Sequence, residues 1–480
     1  MVRCRFAPSP TGQLHIGGAR TALFNYIFAK KNNGKFILRI EDTDISRSKD
    51  QWVSNIINSL KKLDINWDEG PDIGGEYGPY FQSKRKDIYS EYVHKLIEED
   101  KAYYCFCTPE EIEFERKKAE AEKKSFKYSG KCRNLSKDEI KKKIENGCKP
   151  SVRIKTEDNG VVVVHDIIRG IVEFKCSEID DFIILKSDGN PTYNFVCVID
   201  DHLMKISHVI RGEEHLSNTP KQLIVYKALN FDVPQFAHVP MILAPDRSKL
   251  SKRHGATSVD EFFEKGYVKD ALINYLLLLG WSPGNDRNIV SLTDAIKLFD
   301  LSKISKNAAI YDINKLTWLN GYYLKQISED DLFYQLVPFY KKANINIEKY
   351  ETNYVKSVIN LVKEKVKTLD EIVEASTYFF IDQFQYDEKG VEKYFTNEKI
   401  GYLKQIIDQL INIEEFKSES IEICIRKKAE ELSIKAAEII HPLRLALSGR
   451  TVTPGLFEMM EILGKERVVF RVNKAISIFS

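Results

Sequence analysis

The sequence predicts a multidomain α/β protein, with a doubly wound parallel sheet in its first half and a largely helical second half. Three observations carry this. The chain opens in strand–turn–helix–strand order with a short crossover. A segment of different character, roughly residues 85–190, then interrupts the alternation. Beyond Arg253 the spacing of apolar residues is mostly helical to the end. At 480 residues the chain is too long for one core, so roughly three or more domains are expected.

Taken in order, Arg3–Ala7 reads as a short buried strand, and Pro8-Ser9-Pro10-Thr11-Gly12 punctuates it. From Ala19 a helix follows, with Ala22, Leu23, Tyr26 and Ile27 at helical spacing, ended by Gly34. Lys35–Ile40 is a second strand, with Glu41 at its end. A helix near Lys49–Leu63 sets Ile56, Ile57, Leu60 and Leu63 on one face. A helix around Lys84–Glu99 leads into a Cys/Tyr-rich stretch, a charged helical segment Glu110–Lys124, and strand-like runs at 161–164, 171–174 and 182–185. These make 85–190 an insertion between two halves of one sheet domain. Asn194–Ile199 and Ile206–Arg211 read as strands that restore the sheet. Gly280–Gly284 is a break in the helical half, and Gly390 and Gly449 are expected at turns. The Lys/Glu-rich stretches 115–124 and 137–145 read as solvated helix faces.

Composition excludes several classes. With 72 Lys+Arg against 70 Asp+Glu there is no strong overall field, so a nucleic-acid partner must meet a local basic surface. The start, Met1–Arg5, enters a strand and lacks the apolar core of a signal peptide. Apolar runs such as Ala102–Cys107 and Tyr275–Leu279 are too short to span a bilayer, so no membrane partner is expected. Eight cysteines over this length do not suggest a disulfide scaffold, and the expected location is a reducing cytoplasm.

Two short strings carry the chemistry. HIGG, His15 to Gly18, lies between the first strand and the first helix, where free N–H groups and the helix dipole favour anions. His15 can donate to phosphates, and Gly17 and Gly18 leave room for adenine or ribose against the backbone. KLSKR, Lys249 to Arg253, supplies Lys249, Ser251, Lys252 and Arg253 as donors and point charges for a pyrophosphate leaving group, with Gly255 beyond. Alone, each string describes only a polar helix start or a solvated basic loop. Together after this opening they describe an ATP site, with His15, Lys249 and Lys252 as the catalytic set.

The strings RFAPSPTGQLHIGGARTALFN, RIEDTD, PTYNF, VIRGEEH and KLSKR, with the late HPLRLALSGRTVTPGLFEMMEILG, resemble a bacterial-type glutamyl-tRNA synthetase over essentially the whole chain. HIGG and KLSKR depart slightly from the class-wide HIGH and KMSKS patterns. The resemblance implies a class I synthetase Rossmann-like parallel sheet (1–84 and 191–245). It further implies an inserted α+β acceptor-end binding domain (85–190), a stem-contact domain (246–325) and an all-helical anticodon-binding domain (326–480). It implies a glutamate–tRNA ligase that uses ATP with Mg²⁺, acts on L-glutamate and tRNA(Glu), and is a monomer. A non-discriminating enzyme that also charges tRNA(Gln) fits the same strings, and a non-catalytic RNA-binding descendant is the remaining alternative.

A glutamate pocket calls for arginines and an acid. Arg5 and Arg211 project near carboxyl ends of strands, and guanidinium forks match carboxylates in two-point geometry. By resemblance, Arg5, Ser9, Glu41, Tyr193 and Arg211 bind glutamate, and Glu214 faces the ATP ribose. The position that is Asn in some members is here Cys197. Cys105-x-Cys107 and Tyr128-x-x-x-Cys132 offer three thiolates and one oxygen for a tetrahedral structural Zn²⁺, an arrangement through which some members bind zinc. Lys363–Lys367 and the Arg444 to Arg450 region offer basic groups for tRNA.

Overall fold

A computed structural model of the protein describes residues 1–43, 48–123 and 126–480, apart from the side chain of Lys252. Lys124, the expected end of the charged segment, and Asp44 of RIEDTD therefore lie outside the described residues. The chain divides into two compact units, Met1–Phe262 with Leu272–Ile313, and Phe263–Ala271 with Asn314–Ser480. Residues 246–325, expected as one stem-contact domain, are thus shared between them.

The first unit is built on strands β1 (Arg3–Phe6), β2 (Lys35–Leu38), β3 (Ala102–Cys105), β4 (Ser151–Ile154), β5 (Val161–Asp166), β6 (Gly170–Lys175), β7 (Ile183–Leu185), β8 (His208–Gly212) and β9 (Gln235–Val239). Six of them form one sheet in the order β2-β1-β8-β9-β5-β6, parallel except for the β5–β6 pair. The chain leaves β1 toward β2, while its second half begins at β8 on the other side of β1. That reversal is a topological switch point, where ligands of open parallel sheets bind beyond the strand carboxyl ends. Although β5 and β6 fall inside the expected insertion, β5 pairs with β9, so part of that segment belongs to the main sheet. The separate antiparallel sheet β3-β4-β7 is the insertion's own.

The helix Ile16–Lys31 lies beside β1, β2 and β8 and buries Ala19, Leu23, Phe24 and Ile27 completely, with the Phe24 ring 5.2 Å from that of Phe299. The charged helices Pro109–Ala121 and Lys137–Glu145 bury none of their residues, and capping boxes at Thr108 and Ser136 hold their starts. Residues 194–199 correct the sequence expectation: they form part of a helix, Tyr193–Leu203. Phe195, Val196, Cys197, Val198 and Ile199 are all buried, and such a run looks the same in a buried strand and a buried helix.

The second unit is helical, from Glu329–Lys342 to Lys465–Phe479. Buried Arg471 ties it together by donating to the carbonyls of Tyr378, Ile381 and Leu447 and to Asp382. Gly449 caps the helix Ala437–Ser448 in the left-handed region as expected. Gly390 does not mark a turn: it lies within the helix Glu388–Tyr394, where a Cβ would come within 2.7 Å of Thr451. Among the described residues no helix is long and apolar enough to cross a membrane.

Candidate active site

A cavity of about 600 Å³ opens at the switch point. Its wall brings together Arg5, Ser9, His15, Gly17, Gly18, Glu41, Tyr193, Arg211 and Glu214, nine of the residues that the sequence singles out. Arg5 on β1 and Arg211 on β8 reach it from adjacent strands. Glu41 reaches it three residues past β2, where its backbone N–H donates to Pro8 O at 3.0 Å.

Around Arg5 and Glu41 lies a buried ion network. Arg5 donates to Asp201 through Nε at 3.1 Å and Nη2 at 3.3 Å. Arg39, fully buried, donates from Nη1 to the same carboxylate at 2.7 Å and from Nη2 to Glu41 Oε1 at 3.2 Å. Cys197 Sγ lies 3.8 Å from Glu41 Oε1. Burial pushes the Glu41 pKa up, and Arg39 and Arg5 only partly offset this. Burial also acts to raise Asp201, but the two guanidinium groups outweigh it and hold that carboxyl below the usual aspartate value. Arg211 donates to His238 and Thr219, while its Nη1 is buried with no partner. The Tyr193 hydroxyl stands 3.4 Å from His215 Nδ1.

The opposite end is the start of the first helix. His15 is its N-cap, in extended backbone geometry, and its Nδ1 accepts the Gly17 N–H at 3.4 Å. A neutral ring so held carries its proton on Nε2, ready to donate. Desolvation, joined by Lys249 and opposed by Glu261, lowers the His15 pKa and favours that neutral form. A Cβ on Gly17 would meet only His15 Nδ1, at 3.8 Å, so the protein's own packing does not demand glycine there.

The KLSKR loop is tied to this turn from behind. Ile16 N–H donates to Thr257 O at 2.9 Å and Val259 N–H to Leu14 O at 3.0 Å. Lys249 and Arg253 are exposed, and Arg253 Nη2 donates to Ser248 Oγ at 3.2 Å. The Ser251 N–H donates to His254 Nδ1 at 3.1 Å. Lys249, Ser251 and Arg253 do not line the cavity, and the side chain of Lys252 lies outside the described residues.

The cysteine cluster stands apart. The sulfurs of Cys105, Cys107 and Cys132 all lie within 4.8 Å of one another, and the Tyr128 hydroxyl is 3.4 Å from Cys105 and 3.5 Å from Cys107. Sulfurs around a tetrahedral zinc with bonds of about 2.3 Å sit about 3.8 Å apart. The Cys107–Cys132 separation is 3.8 Å, so the donor set fits such an ion. Burial raises the Cys107 pKa to about 12, with the neighbouring thiols adding to it, so a cation is what would relieve their crowding.

Sequence reasoning missed Arg39, Asp201, His238 and Asp166. The one visible signal was charge in an apolar context, Asp200-Asp201 closing the run NFVCVI and Arg39 within FILRI.

The sequence pattern of the family described as "tRNA synthetases class I (E and Q), catalytic domain" matches residues 1–318, and that of "Anticodon binding domain" matches 331–476. The chain is 67% identical to glutamate–tRNA ligase 2 of Caldicellulosiruptor saccharolyticus, covering 100% of this chain and 99% of that protein. It is 53% identical to glutamate–tRNA ligase 1 of Caldanaerobacter subterraneus, over 99% and 97%. The fold is similar to a solved glutamate tRNA ligase from Elizabethkingia meningosepticum in complex with its amino acid, with TM-score 0.91, 36% identity and full coverage of both chains. With these strings, this sheet and full-length relatives, the chain belongs to the bacterial-type glutamyl-tRNA synthetases, the glutamate–tRNA ligases of class I.

Proposed function

We propose that this chain activates L-glutamate with ATP to glutamyl-adenylate, releasing pyrophosphate, and transfers the glutamate to the 3′-terminal adenosine of tRNA(Glu), leaving AMP. The observation that carries this is the unpartnered, buried Arg211 Nη1 in a cavity shared with Arg5, Glu41 and the His15 helix start. A dicarboxylate with one ammonium matches two guanidinium groups and one acid. Arg5 and Arg211 hold carboxylates, Glu41 accepts from the ammonium, and Ser9 and Tyr193 supply hydroxyls.

The reacting carboxylate is already a nucleophile, so no general base is needed for its in-line attack on the α-phosphorus. His15 Nε2–H and the helix start stabilise the phosphates, Gly17 and Gly18 admit the adenosine, and Glu214 faces the ribose. Lys249, Ser251, Lys252 and Arg253 surround the departing pyrophosphate. Magnesium bound with ATP supplies charge neutralisation. Among the described lining residues only Glu41 and Glu214 are carboxylates, and Glu41 is engaged by Arg39, which suits an ion held mainly by phosphate and water. The terminal 2′-hydroxyl then attacks the mixed anhydride. Cys105, Cys107, Tyr128 and Cys132 would hold a structural Zn²⁺ in the acceptor-end binding segment 85–190. Residues 246–325 contact the stem, and 326–480 read the anticodon. The enzyme works as a cytoplasmic monomer.

Glutamate-dependent ATP–pyrophosphate exchange with tRNA(Glu) present tests the activity, and its absence would sink the reading. Metal analysis of protein purified without added zinc should give about one Zn²⁺ per chain, and a value near zero removes the zinc assignment alone.

A further inference from the structure

Arg211 is held from behind by residues with no part in the chemistry above. Its Nε donates to His238 Nε2 at 3.1 Å, and its Nη2 donates to Thr219 Oγ1 at 2.9 Å. His238, on β9, is fully buried. Its ring is gripped on the far side by Asp166 at the end of β5, where Nδ1 lies 2.6 Å from Oδ2. That oxygen also accepts the His238 backbone N–H at 3.0 Å. The other carboxylate oxygen accepts from Ile168 N–H at 2.9 Å and Arg169 N–H at 2.7 Å, so Asp166 is itself fixed at both ends.

The donor and acceptor pattern allows one arrangement. An ionised carboxylate only accepts, so His238 Nδ1 carries the proton. Arg211 only donates, so His238 Nε2 must be bare. The neutral tautomer with the proton on Nδ1 satisfies both demands. Burial, opposed by Asp166 and aided by Arg211, lowers the His238 pKa and supports that neutral form. With Nε and Nη2 committed, Nη1 is left buried and without a protein partner. A guanidinium with one nitrogen left over needs an external acceptor.

We infer that Asp166 and His238 are positioning residues for Arg211: they fix the His238 tautomer and hold the guanidinium so that Nη1 is presented to a carboxylate of the amino-acid substrate. The inference rests on the assignment of Arg211 to glutamate. It also gives β5 a role in the catalytic domain, since the segment 85–190 then supplies a residue that shapes the amino-acid pocket.

The ring state can be read in the full-length protein without substrate. Nitrogen-15 shifts of His238 should show a protonated Nδ1 and a bare Nε2, and a protonated Nε2 overturns the inference whatever the enzyme charges. In tRNA(Glu) charging, Asp166→Asn faces the ring with an amide donor, turns the tautomer over and sets donor against donor at Arg211 Nε. It should raise the KM for glutamate by about tenfold or more, as loss of a hydrogen bond to a charged group does, and leave the KM for ATP within about twofold. His238→Phe should behave the same way. His238→Gln, which returns a carbonyl acceptor toward Arg211, should recover most of the loss. Equal rises in both KM values, an unmoved glutamate KM, or a Gln variant as poor as Phe would each overturn the inference. If the Phe variant does not fold, Asp166→Asn, His238→Gln and the ring spectrum decide. A wild-type enzyme that fails to charge tRNA(Glu) counts against the proposed function, and the ring spectrum then judges the tautomer independently.

Discussion

The Arg5–Glu41 side of the site and the His15–KLSKR side are built in opposite ways. At the end proposed for the amino acid, Arg5, Arg39, Glu41 and Asp201 are buried and joined to one another by ion pairs, and buried Arg211 is held separately by His238 and Thr219. At the end proposed for the phosphates, His15, Lys249 and Arg253 are exposed, and the hydrogen bonds of Ser251 and Arg253 stay local, to His254 and Ser248. The difference follows the tasks. Selecting a side chain requires groups whose positions are set in advance, because a buried site rejects what leaves its polar groups unpaired. Stabilising a leaving pyrophosphate requires charge that arrives as the bond breaks.

The largest test of this contrast is Asp201→Asn. It leaves Arg5 and Arg39 short of a buried counter-charge and should lower folding stability by about 3–5 kcal/mol in denaturant titrations. A loss below about 1 kcal/mol, the range of exposed pairs, would mean that the amino-acid end is no better fixed than the phosphate end. The pH dependence sharpens the same point. Asp201 has a folded pKa below its ordinary value of 3.8, so its contribution is present above that value and is lost as pH falls through the lower folded value. The stability gap between wild type and variant should therefore narrow on acidification below about pH 4, and a gap that stays constant contradicts the assignment.

Next in size, Lys249→Ala and Lys252→Ala should each cut the rate of adenylate formation by about 10²–10³. Lys249→Ala, at an exposed side chain, should shift the melting temperature by less than about 2 °C, and both variants should leave tRNA binding intact. Full activity in the Lys252 variant would count against the mechanism. The smallest effect is expected for Gly17→Ala. With open space around its Cβ the variant should fold as well as wild type, or up to about 1 kcal/mol better. Its KM for ATP alone should rise a few-fold, and an unchanged value would mean that the space beside Gly17 is not used by nucleotide.

The parts legible in the sequence are those whose signal is local. HIGG sits between a strand and a helix, and Arg5 and Arg211 fall near strand ends because strands of four and five residues leave few other places for them. The illegible parts depend on pairing across the chain. Asp201 meets Arg5 and Arg39 only once the helix Tyr193–Leu203 packs beside β1 and β2, and Asp166 meets His238 only once β5 pairs with β9, and no spacing rule links them. The run 194–199 reads as a strand yet folds as a helix because burial on every side erases the period that separates the two. Gly390 reads as a turn but lies in a helix because its smallness admits Thr451 and Leu445 from a distant part of the chain, which sequence neighbours cannot reveal.

Asp200 and Asp201 are adjacent on one helix and both lie against Arg39, at 3.9 and 2.7 Å, yet their remaining partners differ. Asp200 accepts from Gln82, Arg85 and Tyr89, while Asp201 accepts from Arg5 and Arg39. For anyone redesigning this enzyme toward another amino acid, this makes Arg5 a poor first substitution. Removing it strands Asp201 on Arg39, which in turn holds Glu41, so one change propagates through three buried charges. Substitutions that leave the Arg5–Asp201–Arg39–Glu41 chain of contacts intact are therefore the better starting point.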